Sequence, residues 1–341
     1  IYFNTLTYTG NGSSSHAITG VGFQPDWVWI KNRTATASGS HILNDVVRGT
    51  QKAIYANDTS AEYSTSDGLS AFGSDGFTVG NGAIINYNND AYVAWNWKAG
   101  TSFSNDASAT SVGTIDSTGS INTDAGFSII SYTGTGSAGT IAHGLGVAPK
   151  CYFTKNRDTA DNWLVYHEDI GNTKGAFLNV TNTPGTSSAY WNNTSPTSTV
   201  FSVGTEVPMN KSGDDIIAYC FAEKQGYSKF GKYTGNGNAD GPFLYLGFKP
   251  AFFLVKNITN AGYDWELRDN KRDSYNPVGY RLEGNTSDAE SSYYAEYDFV
   301  SNGIKIKQNG NNYNTSGAEY IYLAFAESPF VNSNGIPNNA R

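Results

Sequence analysis

Tyr8-Thr9-Gly10-Asn11-Gly12 is written again as Tyr132-Thr133-Gly134-Thr135-Gly136 and once more as Tyr233-Thr234-Gly235-Asn236-Gly237. Each copy is followed by an apolar run that starts at a proline and ends in Lys-Asn: Pro25 to Asn32, Pro149 to Asn156 and Pro250 to Asn257. Both landmarks advance by 124 residues and then by 101. Two landmarks that keep one spacing identify an internal repeat, and about a hundred residues is enough for a domain with its own core. The repeat predicts three modules arranged as beads on a string. A module used three times presents surface, whereas a catalytic centre needs one set of unlike groups in one place.

Each module also closes on an apolar run: Tyr92 to Trp97, Ile216 to Glu223 and Tyr320 to Glu327. These runs are rich in β-branched and aromatic residues and bounded by Gly and Asn clusters, so they read as strands. They are apolar on both alternations, which implies cover by a facing sheet on one side and a neighbouring module on the other. Phe77-Thr78-Val79 recurs as Phe201-Ser202-Val203, and Trp163-Leu164-Val165-Tyr166 has a partner in Trp265-Glu266-Leu267. Short strands punctuated by frequent turn signals predict an all-β fold of three tandem β-sandwich modules, jelly-roll or lectin-like, with almost no helix. The expected boundaries are module one at 1–98, a Ser/Thr/Gly-rich linker at 99–125, module two at 126–224, and module three with a C-terminal tail at 225–341. Only Lys224-Gln225-Gly226 joins modules two and three. Those two should therefore pack rigidly, with module one set off by the linker.

The chain of 341 residues carries a net charge of −8 and no Lys/Arg run, which excludes a nucleic-acid footprint. No apolar stretch reaches the ~20 residues of a membrane span, so membrane insertion is not expected. Cys151 and Cys220 both fall in module two. They read as small buried thiols, with a disulfide between them left open; their spacing excludes a CxxC metal or redox site.

A survey for catalytic groups yields turns and strand ends. His16, His41, His143 and His167 have no partner at i+4. The consecutive residues His167, Glu168 and Asp169 point to alternate faces of a strand and do not converge on a metal. Ser13-Ser14-Ser15-His16 lacks an acid to orient the imidazole. Asp214-Asp215 follows Ser212-Gly213 as a turn, as Asn89-Asp90 does in module one. The Tyr-Thr-Gly-x-Gly turn lacks the Lys-Ser/Thr and the helix of a phosphate loop. No catalytic residue, metal or cofactor is expected, and the chain does not read as an enzyme. The binding signal is aromatic. Tyr190, Trp191, Asn192 and Asn193, with Tyr293 and Tyr294, lie in Gly/Ser/Asn-rich stretches, where a flat apolar ring can stack on a sugar while amides bond its hydroxyls. These six are the expected glycan-binding residues; the competing reading is packing between modules or subunits.

Longer phrases are more specific than composition. They include Gly126-Phe127-Ser128-Ile129-Ile130-Ser131-Tyr132-Thr133-Gly134, His143-Gly144-Leu145-Gly146-Val147-Ala148-Pro149, Trp163 to His167, Ala218 to Glu223, Tyr227 to Gly237 and Ala326-Glu327-Ser328-Pro329-Phe330. Across nearly the whole chain they resemble repeated β-rich proteins of tailed bacteriophages, especially marine ones, often encoded in or near tail and fibre genes. The resemblance implies a virion structural protein on the particle exterior, in a tail fibre, spike or capsid appendage, with a role in host adhesion. It assigns no residue roles. The expected partners are other virion proteins, further copies of the chain in a homo-oligomer with a trimer favoured, and a host-surface glycan or receptor. The alternatives are a polysaccharide depolymerase, which needs paired carboxylates in an aromatic groove, and a passive capsid decoration or scaffold.

Overall fold

In the computed structural model, which describes residues 1–34 and 39–326 without the side chains of 293–295, the Lys-Asn run is a central strand in every module. These strands, Trp27–Asn32, Cys151–Asn156 and Phe252–Asn257, are buried at every position, as apolar residues on both alternations require. On one side each pairs antiparallel with the closing strand, Ala91–Trp97, Asp215–Phe221 or Glu319–Phe325. The closing strand pairs onward with the opening strand, Phe3–Thr9, Phe127–Thr133 or Ser228–Thr234. On the other side lies the hairpin strand, His41–Asp45, Leu164–His167 or Trp265–Asp269.

A smaller pairing packs over each sheet: His16–Thr19 with Gly76–Val79, Gly139–Ala142 with Val200–Val203, and Phe243–Tyr245 with Gly303–Ile306. In module three the ten-residue strand Ser291–Val300 makes this pairing continuous with the main sheet. Helix among the described residues is confined to the single turns Ala83–Asn86, Ala107–Thr110, Ser188–Trp191 and Val207–Asn210 and a 3-10 turn at Glu168–Ile170. The chain is all-β, as expected.

The repeated turn is a backbone lock. A Cβ on Gly10, Gly134 or Gly235 would stand 2.1, 2.2 or 2.3 Å from the carbonyl oxygen of Tyr87, Lys211 or Thr315. Only glycine permits that approach. Through it, one buried asparagine per module plugs the loop. Asn86 accepts from Asn11 N and donates to Ser13 O and Gly80 O. Asn210 does the same for Thr135, Ser137 and Gly204, and Asn314 for Asn236, Asn238 and Gln308. The motif tyrosines Tyr8, Tyr132 and Tyr233 each donate to the carbonyl one residue before that asparagine, at 2.7 Å.

The modules are not beads, and module one is not set off. One apolar cluster draws on all three. Trp27 stacks on Tyr219 at 4.5 Å, Phe221 meets Phe325 at 5.7 Å, and Trp97 meets Phe325 at 5.7 Å. Strands apolar on both faces need a second cover, and each module finds it in the other two. The segment 99–125 is not a linker either. Thr101–Asn105 and Ser117–Asn122 form an antiparallel ribbon that extends the module-two sheet beyond its opening strand. Its Ser/Thr-rich composition reflects an outward face; inwardly Phe103 and Ile121 pack on the module-two core. Both cysteines are free and buried. The tail, 327–341, lies outside the described residues.

Candidate binding surface

The lysine of each Lys-Asn pair is fully buried and crosses to a neighbouring module. Lys31 Nζ donates to Asp288 O at 2.7 Å, Lys155 Nζ to Thr59 O at 3.0 Å, and Lys256 Nζ to Thr181 O at 3.1 Å. Burial pushes all three down to about 8. The following asparagine ends the strand: Asn32, Asn156 and Asn257 each accept backbone N–H groups from residues two or three ahead. The repeated residues therefore hold the protein together and leave no reactive group at the surface.

Three of the four histidines are equally committed. His41 Nδ1 accepts from Trp29 Nε1 at 2.8 Å, His143 Nδ1 from Leu145 N and His167 Nδ1 from Asp169 N, both at 3.2 Å. Each Nε2 then faces a backbone oxygen, of Glu283, Thr197 and Tyr322 respectively. Burial holds all three imidazoles below their ordinary range. Asp214 bonds Asn156 and Thr159 in the turn. Among the described residues, no group of three or more His, Cys, Asp or Glu is placed to hold a metal ion.

Of the six expected glycan-binding residues, the four whose side chains are described, Tyr190, Trp191, Asn192 and Asn193, do not form a platform. Trp191 is 0% exposed: its Nε1 donates to Lys174 O at 2.7 Å and its ring meets Tyr152 edge-on at 4.9 Å. Its polar sequence context belongs to the turn around it, while the indole itself fills the module-two core. Tyr190 is half-buried and packs edge-on against Phe177. Asn192 and Asn193 are exposed but adopt left-handed backbone angles, φ 50° and 49°, as turn residues. Tyr293 and Tyr294 lie on the strand Ser291–Val300, and their side chains are outside the described set.

A different aromatic surface is present on module three. Phe243, Tyr245 and Tyr275 are 47%, 65% and 87% exposed. Phe243 and Tyr245 flank buried Leu244, so both side chains leave the strand on its outer face. Tyr245 pairs with Gly303, and Phe243 with Lys305. A Cβ on Gly303 would meet Phe243 Cε2 and Cζ at 3.0 Å. The phenyl ring thus covers the bare glycine and is open to solvent elsewhere. The loop bearing Tyr275 is pinned to the same end of the sheet. Asn276 Nδ2 donates to Phe299 O at 2.9 Å and its Oδ1 accepts from Phe299 N at 2.8 Å; the next residue, Val300, pairs with Gly303. Lys305 stands opposite Phe243 on one side and Asp298 on the other, and Asp298 pairs with Lys307 at 3.1 Å. Exposed rings with polar neighbours suit the apolar face and hydroxyls of a sugar. The sequence signal was the alternation Phe243-Leu244-Tyr245, two aromatics around one aliphatic.

A family model described as Domain of unknown function (DUF7483) matches residues 1–329, and the chain belongs to that family. No curated protein matches the chain, and no solved structure matches it. No helix among the described residues is long and apolar enough to cross a membrane.

Proposed function

For this member of the family we propose a virion structural protein, exposed on a phage particle as a tail fibre, spike or appendage, that adheres to host-surface glycan through the aromatic face of module three. The observation that carries the reading is the Phe243 ring lying over Gly303 with Tyr245 beside it, both open to solvent. The phage assignment rests on the sequence resemblance. The interlocked modules supply a rigid mount, because their repeated residues hold one another and leave this face unoccupied. A single shallow aromatic face binds weakly. Several copies, in a homo-oligomer or along a fibre, raise the effective concentration enough for adhesion.

The test is adsorption of purified protein to host cells and to a glycan array, comparing wild type with Phe243→Ser and Tyr245→Ser. Both side chains are exposed, so both variants should keep the fold. Each is expected to lower binding at least tenfold. Wild-type protein that adsorbs to no cell and no glycan, or variants that adsorb like wild type, would overturn the proposal.

A further inference from the structure

Among the described residues, the ribbon Thr101–Asn105/Ser117–Asn122 has no counterpart in the other two modules, where the opening strand is the sheet edge. It pairs Ser102 with Ser120 and Ser104 with Thr118, and Thr118 pairs in turn with Ser131 of the opening strand. Directly paired residues share a face, so five hydroxyl side chains tile one surface. Two open cavities of about 510 and 400 Å³ lie along it and share Ser104 and Thr118 as lining. Together they make one polar track that runs from module one, at Asp26 and Val46–Val47, to Asp215 at the start of the closing strand of module two.

Asp26 is the unusual group on this track. It is 2% exposed. Its Oδ2 accepts from Ala99 N at 2.8 Å, and Oδ1 has no hydrogen-bond partner among the described residues. The repeat does not require it, because the equivalent positions are Lys150 and Ala251, whose backbone N–H groups bond the closing strand as that of Asp26 does. Burial, with a further push from Asp45 against the pull of the Ala99 N–H and Lys98, raises its carboxyl to about 6. A buried carboxylate with an open oxygen on a solvent crevice is completed by a cation that also donates hydrogen bonds. At the far end Asp215 is half exposed and faces Arg157 and Thr133.

We infer that this track binds a linear oligosaccharide carrying free amino groups, with one ammonium seated on Asp26, the ring hydroxyls on the Ser102–Ser120 and Ser104–Thr118 pairs, and an apolar ring edge against Val46 and Val47. The site is separate from the aromatic face of module three and does not depend on it. The net charge of −8 favours such a ligand over an anionic one.

The experiment is isothermal titration of the full chain with a glucosamine tetramer and, in parallel, with its fully N-acetylated form. The free-amine tetramer should bind, and the acetylated one at least tenfold more weakly. Asp26→Asn and Thr118→Lys should each weaken the free-amine tetramer at least tenfold. Thr118 is exposed, so Thr118→Lys blocks the track without touching the core even if Asp26→Asn disturbs the seam. Phe243→Ser should leave this binding unchanged. No binding of the free-amine tetramer, equal affinity for both tetramers, indifference to Thr118→Lys, or loss with Phe243→Ser would each overturn the inference. Failure of host adsorption in the Phe243 and Tyr245 experiment would leave it standing.

Discussion

Trp163 Nε1 of module two donates to the backbone oxygen of Tyr55 in module one at 2.8 Å. Trp265 of module three makes the same bond to Phe177 of module two, also at 2.8 Å. His41 of module one completes the circle with Nε2 at 3.0 Å from Glu283 O of module three. The donors hold one position of the repeat, opposite or beside the buried lysine, and the acceptors hold another. The three seams are therefore one seam used in cyclic order. Replacing Trp163 or Trp265 by Phe keeps most of the ring volume and orphans a buried carbonyl, a loss of about 1–3 kcal/mol in each case. Urea unfolding should report similar losses for the two variants and a single transition, since the modules share one core. Separate transitions for separate modules would refute the cyclic arrangement.

The asparagine plug gives a second test of equivalence. Asn210→Ala leaves Thr135 N, Ser137 O and Gly204 O without their partner. The expected loss is about 2–4 kcal/mol. Asn86→Ala and Asn314→Ala should match it, because their bonds are the same three. Thermal melts of the three single variants check this directly. A variant that melts like wild type would show that its turn closes without the plug.

How far the sequence could be read follows from these contacts. The Tyr-Thr-Gly-x-Gly and Lys-Asn landmarks locate every module because each copy does the same job: a close backbone approach, a lysine bond across a seam and a strand end. Asn86, Asn210 and Asn314 keep the same relation to the closing strands, but a single Asn among many in a turn carries no visible signal. The cyclic packing was foreshadowed by strands apolar on both faces. The segment Ala99–Ala125 obscures it, because it looks like a linker when only its solvent side is counted. Trp191 is obscured for a related reason: neighbours in sequence describe the turn, whereas the indole answers to Tyr152 and Tyr166 across the core. The outward pair Phe243 and Tyr245 was legible as an alternation, but strand alternation alone does not say which face meets water.

His167 makes stability depend on pH in a stated direction. Burial holds it at about 4, against 6.5 for the free imidazole. Between those values the unfolded chain binds the extra proton, so this contribution is whole above pH 6.5 and lost as pH falls toward 4. Its full size is roughly 3 kcal/mol. Asp26, Asp169, Glu283 and Glu296 have raised values and act in the opposite sense over acidic pH. The clean measurement is thus the difference between wild type and His167→Gln in urea unfolding from pH 4 to pH 7. That difference should grow with pH by up to roughly 3 kcal/mol. A flat difference curve would mean the imidazole is not held neutral at this seam.

Module three replaces apolar core with charge. Glu266 and Arg268 are fully buried where module one has Ile42 and Asn44 and module two has Leu164 and Tyr166. Arg268 bridges Glu266 at 3.3 Å and also pairs with Glu296, while Arg281 holds Glu266 at 3.0 Å. Removing one member of such a set strands the rest. Arg268→Met should cost about 3–5 kcal/mol at pH 7. The deficit should shrink at acid pH, because burial already raises Glu296 and the loss of Arg268, which lowers it, raises it further. The double change Glu266→Leu with Arg268→Tyr installs the module-two pair and leaves Glu296 with Arg281, so it should recover most of the single-variant loss. Chemical unfolding of both variants at pH 7 and pH 5 decides the matter. A double variant as unstable as Arg268→Met would show that the charges are needed for the packing of module three itself.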